Sequence, residues 1–78
     1  MFTRMTDDEL YVYESILDIA TNDLDIAKNL TADLLKKWFK DHQYAPPNHL
    51  DAILAAMEKK GVLRKSGYDE EAKYSIVK

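Results

Sequence analysis

The stretch that decides the fold is Leu50-Asp51-Ala52-Ile53-Leu54-Ala55-Ala56-Met57-Glu58-Lys59-Lys60-Gly61-Val62-Leu63. Leu50, Ile53, Leu54 and Met57 fall at i, i+3, i+4 and i+7, the spacing of a narrow apolar stripe on a helix. Lys59 and Lys60 set positive charge at the negative end of the helix dipole, and Gly61 supplies a natural stop. Val62 and Leu63 then drop into a core as the start of a strand. Asn48 stands where it can cap the helix, with Asp51 completing a loose capping box.

Upstream, Gln43-Tyr44-Ala45-Pro46-Pro47 breaks the chain, because consecutive prolines cannot continue a helix and the residue before a proline avoids helical geometry. Before the break a second helix is expected over residues 32–42. Thr31 is its N-cap, Asp33 lies just inside, and Leu34, Leu35, Trp38 and Phe39 form the apolar stripe, with Lys36, Lys37 and Lys40 off it. Thr6-Asp7-Asp8-Glu9 has the form of a capping box and opens a first helix over residues 7–21. Its core stripe is expected at Leu10, Tyr13, Leu17 and Ala20, widened by Val12 and Ile16. Leu24-Asp25-Ile26-Ala27-Lys28 alternates, which fits a very short strand or a loop tucking Leu24 and Ile26 inward. Downstream, residues 62–65 and 73–77 pattern as two strands of a hairpin with a long polar tip. The expected class is mainly α with a small β-hairpin (α+β).

At 78 residues without Cys, the chain is the length of one small domain that must hold together by packing alone. Residues 1–5 are expected to be an extension and 6–78 the domain. Such a domain has little room for a pocket of the ~300 Å³ that encloses a small molecule. Gly61 and Gly67 are the only glycines, so no phosphate-cradling loop is present, and no Ser, Thr or carboxylate sits in a nucleophile or acid–base motif. No enzymatic activity, small-molecule substrate or cofactor is expected. His42 and His49, even with Asp41 or Asp51, match no ligand spacing, so no metal is expected. No apolar run approaches the ~18 residues of a membrane span. Met1-Phe2-Thr3-Arg4-Met5 runs straight into Asp7, Asp8 and Glu9 and lacks the apolar stretch of a signal peptide, so the expected location is the cytoplasm.

The net charge is −3, unevenly spread. Residues 1–25 carry one Arg against seven acids, residues 26–65 eight Lys/Arg against four acids, and residues 66–78 two Lys against three acids. The basic middle section points to an anionic partner.

The order helix, short strand, helix, helix, strand, strand resembles the winged-helix variant of the helix-turn-helix family, and residues 50–63 resemble the end of that family's third helix running into its first wing strand. The resemblance covers nearly the whole chain from Thr6. It implies a DNA-binding winged helix acting in transcription or replication control, with the third helix and wing against duplex DNA. The residues expected to serve are Lys36, Lys37, Lys40, Asn48, His49, Ala52, Lys59, Arg64, Lys65 and Lys73. Asn and Lys can meet base edges, Ala a thymine methyl, and the remaining cations phosphates. Two departures from the pattern, a long Pro-containing connection and a third helix poor in base-reading side chains, leave a second expectation open. This is a protein-interaction winged helix with an acidic surface, using Ala55 and Ala56 and the acidic wing tip Asp69-Glu70-Glu71. Tyr11, Val12 and residues 1–5 are candidate contacts for a homodimer. Everything on the DNA side requires that the cations of the middle section gather on one face.

Overall fold

The computed structural model describes residues 4–68 and 71–77. Six elements follow one another there: α1 (Asp7–Asn22), α2 (Leu24–Lys28), α3 (Ala32–Asp41), α4 (Leu50–Lys59), β1 (Leu63–Ser66) and β2 (Lys73–Ile76). The mainly helical α+β arrangement ending in an antiparallel hairpin is therefore present. No helix among the described residues is long and apolar enough to cross a membrane.

Local chemistry sets the helix ends. The Thr6 hydroxyl accepts from the Glu9 amide at 3.2 Å while the Glu9 carboxylate accepts from the Thr6 amide at 2.9 Å, a closed capping box on α1. Thr31 caps α3 through the Leu34 amide at 3.2 Å. Both α3 and α4 end in the same paired bonds. In α3 the amides of Gln43 and Tyr44 reach the carbonyls of Lys40 and Phe39; in α4 those of Gly61 and Val62 reach Glu58 and Met57. That pattern needs a left-handed residue just past the helix. Gly61 adopts it at φ 81° and Gln43, without glycine's freedom, at φ 59°.

The core joins all the longer elements: Val12, Ile16 and Ile19 of α1, Leu30, Leu35 and Phe39 around α3, Leu50, Leu54 and Met57 of α4, and Leu63 of β1. Phe39 is fully buried, with Trp38 edge-on to it at 5.5 Å and Tyr11 tilted at the same distance. The hairpin pairs Leu63 with Ile76 and Lys65 with Tyr74. Alternation puts those four on one face and Arg64, Ser66, Lys73 and Ser75 on the other.

Several expectations are corrected. In α1 the buried stripe is Val12, Ile16 and Ile19, whereas Leu10 and Leu17 are 43% and 47% exposed. The helix carries two apolar sets, and Glu9, anchored inward by its cap, belongs to the same face as Val12 and Ile16. Residues 24–28 are a short helix rather than a strand, and Leu24 is exposed. The sheet-like contact falls later, where the Tyr74 amide donates to the Leu30 carbonyl at 2.8 Å. Asn48 is not the cap of α4. The first helical bond is accepted by the His49 carbonyl, from Ile53 at 3.0 Å, and His49 is left-handed at φ 59° with no side-chain cap. Asn48 thus stands one residue too early. Of the expected N-terminal extension, the described part is tied down, since the Arg4 carbonyl accepts from Lys60 and Met5 packs against the core.

Candidate interaction surface

Between the start of α3, the outer face of α4 and the hairpin lies a cleft of about 1070 Å³, open to solvent. Asp51, Ala55 and Glu58 fall at i, i+4 and i+7 and form its α4 wall. Ala32, Asp33 and Lys36 contribute from α3, and Lys65 and Tyr74 from the hairpin face they share. Tyr68, 87% exposed, and Glu71 stand at the hairpin end. The lining holds four carboxylates, those of Asp33, Asp51, Glu58 and Glu71, against the two ammonium groups of Lys36 and Lys65. Lys36 and Asp51 lie 3.9 Å apart with both side chains well exposed, so the pair cancels charge and adds little stability.

The cleft itself draws in few of the expected cations. Of the ten residues expected to meet DNA, the cleft takes only Lys36 and Lys65. Arg64 and Lys73 fall on the opposite face of the hairpin, because they are one position out of step with Lys65 and Tyr74. The Lys73 ammonium is directed away, donating to the Asn29 side chain at 3.0 Å. Ala52 and Lys59, seven residues apart, share a strip of α4 about a quarter-turn from the Asp51–Glu58 line. Lys37 and Lys40 are exposed on α3, and Asn48 and His49 in the turn before α4, none of them lining the cleft. The charge count along residues 26–65 already includes Asp33, Asp51 and Glu58; what it leaves out is Glu71, which comes from outside the segment.

Among the residues expected at protein contacts, Ala55 lines the cleft, whereas Ala56 is half-buried outside it. Val12 is fully buried and offers nothing to a second copy. Tyr11 is 37% exposed, its hydroxyl donating to the Ala45 carbonyl at 2.9 Å. Of the acidic tip, Glu71 lies at the cleft, while Asp69 and Glu70 are outside the described residues. Sequence reasoning overlooked Tyr68. An aromatic beside Gly67 in a turn was the available signal, since a tip residue has no core to enter. The same reasoning placed Glu9 in the α1 capping box, as the structure does, but did not foresee that Glu9 is 5% exposed and ion-paired with Lys60. The Lys60 ammonium, and next the Thr6 amide, hold the Glu9 carboxyl below the ordinary carboxylate value. No three His, Asp or Glu among the described residues stand where they could hold a metal ion together.

No family model matches the chain, nor does any curated protein or solved structure.

Proposed function

We propose that the chain is a non-catalytic, cytoplasmic winged-helix module that binds a protein through the cleft between α4 and the hairpin, the partner presenting basic side chains. The element order supports the winged-helix assignment. In that reading α1, α3 and α4 would be its three helices and β1 and β2 its wing, with α2 an addition in place of the short strand expected at residues 24–28. The observation that carries the choice of partner is the set of four carboxylates against two ammonium groups in that cleft. Affinity for a duplex rests on cations that neutralise phosphates, and a groove of this sign repels them. It attracts Lys and Arg instead. Tyr68 adds an exposed aromatic at the rim, a residue type enriched at protein interfaces.

The test compares two labelled probes by anisotropy at low salt: a short Lys/Arg-rich peptide and a mixed-sequence DNA duplex. Amide-shift mapping then locates any binding. The peptide should perturb Ala55, Tyr68 and Tyr74, and Asp51→Lys with Glu58→Lys should weaken it at least about tenfold. The duplex should show no saturation at about 100 µM protein, within the usual range of non-specific DNA affinity. Duplex binding that disappears in Lys36→Glu with Lys65→Glu overturns the proposal in favour of DNA. Peptide binding unchanged by the Asp51 and Glu58 substitutions overturns the site.

A further inference from the structure

A second, smaller hollow of about 150 Å³ lies at the other end of α3. Tyr11, Glu14, Ser15 and Asp18 of α1 line it at i, i+3, i+4 and i+7, with Trp38 of α3 and Tyr44 of the connection. Trp38, 5% exposed, is the floor, and the half-exposed rings of Tyr11 and Tyr44 are the rims. Trp38 and Tyr44 stand 5.7 Å apart, inclined at 49°. The packing fixes this geometry. His42 lies against Trp38 at 4.4 Å and stacks with Tyr44 at 5.9 Å, and the Tyr11 hydroxyl holds the connection through the Ala45 carbonyl. Among the polar groups, the Ser15 hydroxyl is occupied with the Tyr11 carbonyl at 2.9 Å, and the Asp18 carboxylate accepts from Asn22. The Glu14 carboxylate makes no hydrogen bond or ion pair with the described residues. No cationic side chain lines the hollow; its surface is mostly apolar, and Glu14 and Asp18 are the two carboxylates on it.

We propose that this hollow seats the guanidinium of an arginine from a protein partner, laid against the exposed Tyr11 and Tyr44 rings above the buried Trp38 and donating to Glu14 and Asp18. The aromatic faces attract a cation by their quadrupoles, and the carboxylates one turn apart add charge-assisted acceptors. Arginine fits better than lysine because its charge is planar, weakly hydrated and able to stack while its edge donates to carboxylates. An ammonium group enclosed by rings on several sides calls for a deeper cage than these rings make. The seat is independent of the α4 cleft, and neither depends on the other being occupied.

Trp38 is the only tryptophan, so its fluorescence and its indole amide signal report on the hollow directly. The probes are N-acetyl-arginine amide, its neutral isostere N-acetyl-citrulline amide, and N-acetyl-lysine amide. The arginine compound should give a saturable Trp38 response in the millimolar range, with shifts confined to Tyr11, Glu14, Asp18 and Tyr44. Glu14→Gln with Asp18→Asn, both solvent-exposed positions, should weaken it at least about tenfold without changing the thermal melt. Citrulline should give no saturable response. The proposal is overturned by no saturation with arginine at about 50 mM, by equal binding of citrulline or lysine, or by arginine binding unaffected in the double variant.

Discussion

Replacing Lys60 with Met should destabilise the protein by about 2 kcal/mol, more than any other single loss of charge on its surface. The ammonium closes a bridge between the end of α4 and the start of α1. It pairs with the Glu9 carboxylate inside the α1 capping box and donates to the Arg4 carbonyl at 3.2 Å. Removing it leaves a carboxylate that is 5% exposed with only the Thr6 amide as its partner. Breaking a fully buried pair costs about 3–5 kcal/mol and an exposed one about 0–1. The Lys60 side chain retains 25% of its exposure, so water can reach the abandoned carboxylate and the expected cost lies between those limits. For a domain of this size that is a fall of roughly 8–16 °C in Tm. Glu9→Gln should cost less, about 1 kcal/mol, because the amide oxygen still caps the helix and Lys60 keeps Arg4 and solvent. The pH dependence separates this mechanism from a packing defect. The Glu9 carboxyl is held below its ordinary 4.5, chiefly by the Lys60 hydrogen bond, so its stabilising contribution is complete above that value. It is lost as pH falls through the lower, folded-state value. Urea titrations of the wild type and Glu9→Gln at intervals from about pH 7 to pH 3 should therefore show a gap that narrows on acidification. A gap that stays constant over that range, or a Lys60→Met midpoint indistinguishable from wild type, refutes the account.

The matched ends of α3 and α4 give a paired prediction: Gln43→Gly should stabilise by about 0.5 kcal/mol by relieving the left-handed strain, after allowing for the greater freedom of glycine in the unfolded chain. Gly61→Ala should cost about 1–2 kcal/mol, all of it backbone strain, because an added Cβ there meets no atom within 4 Å. Both are read from denaturant midpoints. On α1, Ile16→Ala should cost about 2–5 kcal/mol and its neighbour Leu17→Ala no more than about 0.5, since only Ile16 points into the core; comparable losses at the two positions would place the core on the wrong face of the helix.

What could be read from the chain alone were features that depend on near neighbours. The Thr6–Glu9 box, the Thr31 cap, the break at Pro46-Pro47 and the stop at Gly61 are each closed by residues within a few positions of one another. They fixed where α1, α3 and α4 begin or end to within a residue or two. The pleat is equally local, and period two alone puts Arg64 and Lys65 on opposite faces of the hairpin. The exception at short range is His49, which holds the cap position in place of Asn48 with a left-handed backbone.

The phase of α1 was a tertiary decision. Leu10, Tyr13, Leu17 and Ala20 make as good a helical stripe as Val12, Ile16 and Ile19, and helix formation is indifferent to which of them faces inward. The choice was made by Phe39, Leu54 and Met57 and by the anchoring of Glu9 to Lys60, 51 positions away. The sign of the cleft was decided in the same way. Electrostatic potential follows distance through space, and folding brought Glu71 beside Asp33, Lys36, Asp51 and Glu58. Hydrogen bonds closed within a few residues are written in the local sequence, whereas burial and net field are sums over atoms that only the folded chain brings together.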